Sequence, residues 1–138
     1  MNARRALGDA EYAQLLDFRD GLRRFLHWSE DRAKAVGLTS PQHQLLLAIR
    51  GHGAAPSIRE VAAHLLLRHH SAVELVDRAA TAGLVRRIAD PGDQRVVRLQ
   101  LTTEGESKLE QLSAAHLEEL SRLRPQFDSL WDRLPEER

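Results

Sequence analysis

The 138-residue sequence contains no cysteine, which removes disulfide frameworks, thiolate zinc sites, iron–sulfur clusters and thiol redox sensors from consideration. No stretch approaches the roughly 20 apolar residues of a membrane span. The first twelve residues carry Arg4, Arg5, Asp9 and Glu11 and no apolar run of signal-peptide length, so a soluble cytoplasmic protein with no membrane partner is expected. Lysine is nearly absent, with Lys34 and Lys108 set against 18 arginines, a skew that suits bidentate contacts but more often follows genome composition.

Catalytic signatures are missing as well. There is no glycine-rich phosphate loop and no activated nucleophile, and the carboxylate pair Asp90/Asp93 falls on a turn tip. An enzyme is not expected, nor is a cofactor. Metal binding would fall to the seven histidines and the carboxylates. His64, His69 and His70 are separated by 5, 1 and 6 residues, none of which is the i, i+4 pair of a helix-borne zinc site. His27, His43 and His116 fall on three different helices and are read as hydrogen-bonded structural histidines, so no metal site is expected.

Net charge is also lacking. Twenty basic and twenty acidic side chains cancel, which taken alone argues against a nucleic-acid partner. Division along the chain changes that picture. Residues 1–36, 37–56, 57–100 and 101–138 carry +1, +1, +2 and −4, a mildly basic body with an acidic C-terminal segment.

Apolar residues from Tyr12 through Leu15, Leu16, Leu22, Phe25, Leu26 and Ala33 to Val36 recur at three- and four-residue steps, which predicts a long helix over 9–36 capped by Gly37. Thr39-Ser40-Pro41-Gln42 is a hydroxyl cap with proline in the first turn, opening a helix to about Arg50. Ser57 and Glu60 form a capping box at the start of a short helix with Ile58, Val61, Ala62 and Leu65 inward. The period slips at Leu66 to Arg68 and restarts near His69, with Ala72, Leu75, Val76, Ala79 and Ala80 on one face and Gly83 as the stop. Two short helices joined by a tight connection describe a helix-turn-helix.

Two β-rich runs follow, 84–89 and 95–101, around the turn cluster Asp90-Pro91-Gly92-Asp93-Gln94. A hairpin in that position is a wing. A capping box from Thr103 to Glu106 then opens a helix with Leu109, Leu112, His116, Leu120 and Leu123 on one stripe, Pro125 breaks or kinks it, and Phe127, Leu130, Trp131 and Leu134 suggest a last short helix. The fold class is mainly α with a small β-hairpin wing: a winged helix-turn-helix flanked by N- and C-terminal helices.

Three segments carry a resemblance to the MarR family of bacterial transcriptional regulators: LTSPQHQLLLAI (38–49), IREVAAHLLLRHHSAVELVDRAATAGLVRR (58–87) and DPGDQRVVRLQLTTEGE (90–106). The wing is the most specific, with Asp90, Asp93, Arg95, Leu101-Thr102 and Glu104-Gly105 in the family's order, and Gln94 where a basic residue is usual. The resemblance implies one domain over 1–138, with 9–36 and 103–134 as dimerisation helices and 39–101 as the DNA-binding region. It further implies an obligate homodimer on double-stranded DNA, a pseudo-palindromic operator with half-sites about one helical turn apart, and an effector cleft. A repressor released by a small molecule is the expected mode of action. A winged-helix module for protein contact, with DNA reading degraded, is the alternative; Gln94 and Glu74 argue for it.

Arg95 heads the candidate DNA-binding residues. A long planar cation at a hairpin tip can enter a minor groove while Asp93 fixes its guanidinium. Arg68, His69, His70 and Ser71 stand at the start of the recognition helix (about 69–82), where backbone N–H groups favour phosphate. His70, Val73 and Glu74 are the base-edge candidates: Val73 for a thymine methyl, Glu74 for cytosine N4, unless Glu74 pairs with Arg78 one turn on. Arg59, Arg86, Arg87 and Arg98 are candidates for phosphate contact. Arg24, His27, Trp28 and His43 could line a pocket for a small aromatic or carboxylate effector, although Trp28 is equally read as dimer core.

Overall fold

The structure, a computed structural model, describes residues 6–134. In chain order the elements are α1 (Asp9–Ala35), α2 (Ser40–Gly51), α3 (Ile58–Leu65), α4 (His69–Thr81), β1 (Val85–Ala89), β2 (Val97–Leu101) and α5 (Thr103–Asp132). The mainly helical class with one antiparallel hairpin among the described residues is as expected.

Local chemistry sets most boundaries. At α2, the Thr39 hydroxyl accepts from the Gln42 amide (3.2 Å) while the Gln42 side chain accepts from the Thr39 amide (3.1 Å). Ser57 and Glu60 repeat the exchange at α3, at 3.2 and 3.1 Å. Each box satisfies two helix-end donors that would otherwise need water. Helix α3 ends on Leu66 in the left-handed region (φ 55°, ψ 40°), and the Leu67 amide donates back to Ala62 O at 2.9 Å. A leucine in that conformation costs about 1–2 kcal/mol, the strain of turning from α3 to α4 within three residues. Gly83 (φ +78°) performs the same function after α4 without that cost.

The start of α5 differs from expectation. Its cap is Thr102 rather than Thr103: the Thr102 hydroxyl accepts from the Gly105 amide (3.1 Å) and donates to Gly83 O (2.6 Å). The Thr102 amide donates to Leu84 O at 3.0 Å, so the hairpin's pairing fixes which threonine turns inward. A Cβ on Gly105 would lie 2.2 Å from Leu84 O, which makes glycine obligatory where α5 leaves the sheet. The expected last short helix is also corrected. Helix α5 runs through Pro125 to Asp132. The missing proline donor is tolerated on an exposed turn, where the carbonyl it leaves free can face water.

By contacts the chain divides into two units, 30–114 and the pair of segments 1–29 with 115–138. The 30–114 unit has a closed core: Leu45, Leu46 and Ile49 of α2, Val61 of α3, Val76 and Ala79 of α4, Leu84, Val85, Leu99 and Leu101 of the hairpin, and Leu109 and Leu112 of α5 are all buried. The hairpin register pairs Val85 with Leu101 and Ala89 with Val97. Strand β2 also bonds outward, its Leu99 amide donating to Pro56 O at 2.8 Å, so the wing is sewn to the segment that leads into α3.

In the other unit α1 and α5 meet through rings. Phe18 and Trp131 are edge-on at 5.7 Å, Trp28 and His116 at 4.8 Å, and the Phe127 ring lies over Gly21. Tyr12, Leu15, Leu16, Leu26, Leu117, Leu120 and Trp131 nonetheless remain exposed.

Candidate nucleic-acid interface

The wing tip is organised by two aspartates. Asp90 accepts from the Gly92 and Asp93 amides (both 2.9 Å) with one oxygen and from Arg98 Nε (2.6 Å) with the other. Asp93 then accepts from the Arg95 amide (3.0 Å), Nε (3.1 Å) and Nη2 (3.3 Å). The Arg98 guanidinium beside Asp90 holds its carboxyl below the usual aspartate range, aided by the Gly92 amide; the Arg95 side chain does the same for Asp93. The tip is therefore a set of charge-assisted bonds closing on Arg95, whose side chain is 90% exposed. Its guanidinium is oriented by Asp93 and still open to a ligand.

Helix α4 presents the second element. Its N-cap, Arg68, makes no side-chain cap bond, in contrast to the boxes on α2 and α3, so the first helix N–H groups face outward beside exposed Arg68, His69 and His70. Ser71 and Val73 are half-buried on the same turn, and Glu74 is exposed. No salt bridge joins Glu74 to Arg78 among the described residues, which leaves the Glu74 carboxylate available.

The remaining arginines separate into two kinds. Arg59 and Arg86 are exposed, Arg86 steadied by Gln100 on the facing strand (3.2 Å). Arg87 is tied to Asp77, joining β1 to α4. Arg98 departs from its expected role as a phosphate-facing charge. Its Nε goes to Asp90 and its Nη1 to Ala55 O (3.1 Å) and Glu60 (3.3 Å), which, with Asp90 as the strongest partner, raises its pKa above the ordinary arginine value. It is a half-buried clamp fastening the wing to the start of α3.

Sequence spacing could not find this clamp, because its partners lie 8, 38 and 43 residues away. Glu60 was legible only as a helix cap. It also receives His52 Nε2 at 2.6 Å, and the Ser57 bonds are the first cause of its lowered pKa.

The four residues suggested for an effector pocket divide between the two units. His43 is buried in the 30–114 unit. Arg24 and Trp28 line a 260 Å³ cleft together with Phe25, Leu123, Phe127 and the Arg122–Glu119 ion pair (2.5 Å), whereas His27 is exposed and does not line it.

Comparison with known proteins bears on this arrangement. Residues 36–96, which span α2 to the wing tip, match the model of the MarR family. A curated relative from Bacillus subtilis (strain 168), described as an uncharacterized HTH-type transcriptional regulator, YsmB, is 34% identical over 76 residues. That alignment takes in 55% of this chain and 50% of the relative, so the chain spans about half the length of the curated relative it matches.

Among solved structures, a MarR family protein from Bacillus stearothermophilus superposes with a TM-score of 0.73 at 24% identity, covering 86% of this chain and 82% of that one. A mutant MepR of S. aureus bound to an oligodeoxyribonucleotide gives 0.63 at 20%, covering 91% and 85%. At such identities the structures speak to the fold alone.

Proposed function

We propose that this chain, whose residues 36–96 match the MarR family model, is a member of that family: a dimeric, sequence-specific DNA-binding transcriptional regulator and not an enzyme. The observation that carries the reading is Arg95, 90% exposed at the wing tip with its guanidinium aimed by Asp93. In a narrow minor groove such a cation meets concentrated negative potential, and its orientation has already been fixed before binding. Helix α4 enters the major groove, its uncapped N-terminus and Arg68, His69 and Ser71 on phosphate, with His70, Val73 and Glu74 at base edges. Arg59 and Arg86 add sequence-independent attraction.

The dimer follows from the exposed apolar residues of α1 and α5, which a second copy would cover. Two-fold symmetry then requires an inverted repeat. Repression relieved by an effector completes the proposal. The cleft holds Phe25, Trp28 and Phe127 beside Arg24, while its Arg122 is already paired with Glu119; it suits a small aromatic acid with its carboxylate on Arg24, whose preference for a dimer with misplaced reading heads would lower DNA affinity.

Fluorescence anisotropy of the protein on a labelled duplex of its own upstream region, at two salt concentrations, tests the reading. Saturable binding that weakens with salt and resists excess unrelated DNA supports it; binding equally displaced by any duplex overturns it.

A further inference from the structure

The Glu60 carboxylate does more than cap α3. One oxygen accepts from the Ser57 amide (3.1 Å) and Arg98 Nη1 (3.3 Å), and the other meets His52 Nε2 at 2.6 Å. The opposite nitrogen of that ring, Nδ1, lies 3.0 Å from His64 Nε2, with the two rings near perpendicular at 83°. His52 caps the end of α2 and His64 sits in the last turn of α3. A continuous polar chain therefore runs from His64 through His52, Glu60 and Arg98 to Asp90, whose other oxygen holds the wing turn that presents Arg95.

Proton accounting constrains this chain. The His52 Nε2 contact with a carboxylate requires a proton on that nitrogen. The gap between His52 Nδ1 and His64 Nε2 holds one hydrogen, supplied by either ring. One additional proton on the pair is accommodated, since a doubly protonated His52 can donate to a neutral His64. A second puts N–H against N–H and opens the gap.

Charge points the same way. With both rings neutral, Glu60, Asp90 and Arg98 total −1; with both protonated the cluster is +1. The surroundings do not absorb that charge. Arg50, on the last turn of α2, is already paired with Glu106 at 3.2 Å. Arg59 adds a further cation next to Glu60. The open groove beside His64 is lined by Gln44, Leu47, Ala48, Gly51 and Leu65, none of them acidic.

We propose that His52 and His64 are positioning residues for the wing, and that loading the pair with a second proton loosens the Glu60–Arg98 attachment and so weakens DNA binding. The last step rests on the DNA-binding reading; the earlier steps do not. Glu60 and Asp90 both stay ionised across the histidine range, because their hydrogen bonds hold them below the ordinary carboxylate values. A response between pH 7.5 and 5.5 therefore belongs to histidines.

The experiment compares the full chain with His64→Gln, a substitution at an exposed site whose amide can still donate to His52. By NMR, the His52 and His64 ring signals should titrate in two separated steps, with Arg98 Nε–H and the Gly92 and Asp93 amides moving in the second. In His64→Gln, His52 should titrate in one step while the wing signals hold. Independent titration of the two rings, or wing signals that stay still through both steps, would overturn the proposal.

In anisotropy with the labelled upstream duplex, wild-type affinity relative to His64→Gln should fall about fivefold from pH 7.5 to 5.5. His69 and His70, at the start of α4, are common to both proteins, so any contribution of theirs cancels in the ratio. An unchanged ratio would overturn the link to DNA. Absence of DNA binding by either protein at any pH would overturn the DNA-binding reading, and the NMR titration would then decide the brace by itself.

Discussion

The two units of this chain solve the burial problem differently. In 30–114, short helices and a hairpin surround fully buried Leu45, Leu46, Leu84, Leu99 and Leu112, and local devices fix most of the entries to that core: capping boxes on α2 and α3, left-handed Leu66 between α3 and α4, and glycines at 83 and 105. In the segments 1–29 and 115–138, longer helices with comparable apolar content leave Leu16 at 58%, Leu26 at 60% and Leu117 at 67% exposure. Helix length does not make a core. Two helices have only one mutual face, and the apolar residues outside it need a third surface, which in the proposed dimer is a second copy.

The strongest test of that contrast is a matched truncation. Leu46→Ala, at a fully buried site, should cost about 3 kcal/mol in urea unfolding, with a midpoint shift independent of protein concentration. Leu16→Ala, at an exposed site, should cost under about 1 kcal/mol when the protein is dilute. Equal losses would erase the distinction between the units.

Leu16→Asp combined with Leu120→Asp attacks the other side of the comparison, since both positions are exposed in the single chain. Light scattering should show a monomer that still unfolds cooperatively, and operator affinity should fall about a hundredfold, or roughly 2.7 kcal/mol, as the second reading head is lost. A double variant that remains dimeric would place the interface elsewhere.

Arg95→Ala separates reading from folding within the 30–114 unit. With the side chain 90% exposed, the melting temperature should stay within a degree or two while operator affinity drops at least tenfold, about 1.4 kcal/mol. A matching loss of stability would mean that Arg95 merely stiffens the turn.

Acid sharpens the picture of the wing. Asp90 and Asp93 have lowered pKa values in the folded protein, through Arg98 and Arg95 respectively. Their contribution is therefore complete above the ordinary aspartate value and is lost as pH falls through the lowered folded values. In His64→Gln, whose wing signals hold through the histidine range, the Gly92 and Asp93 amide signals should collapse only below the usual aspartate range; adding Asp90→Asn should flatten that acid limb. The smallest effect is expected of Glu74→Gln, which should change base preference at one position of each half-site in a binding-site selection while leaving affinity for the best site within about threefold.

What could be read from sequence divides along the range of the interactions. The boxes at Thr39/Gln42 and Ser57/Glu60 appeared where spacing placed them, because capping involves four consecutive residues. Thr102 displaced Thr103 as the α5 cap because its hydroxyl is also claimed by Gly83, nineteen positions away. Arg98 looked like one more surface cation until Ala55 and Glu60 arrived from across the fold. His52 carried no signal at all, since a histidine at a helix end is ordinary unless its carboxylate and imidazole partners are known. Continuity of α5 through Pro125 was hidden for the opposite reason: a local rule strong in buried helices is weak where the freed carbonyl can reach water.

The central claim is that a symmetric pair of these chains reads DNA with α4 and the wing. Selection of bound duplexes from a random library, using the full chain at fixed salt, tests it most directly. The account predicts enrichment of an inverted repeat whose half-sites lie about one helical turn apart, with the enrichment lost for Arg95→Ala; a library that stays random, or a single asymmetric site, would contradict it.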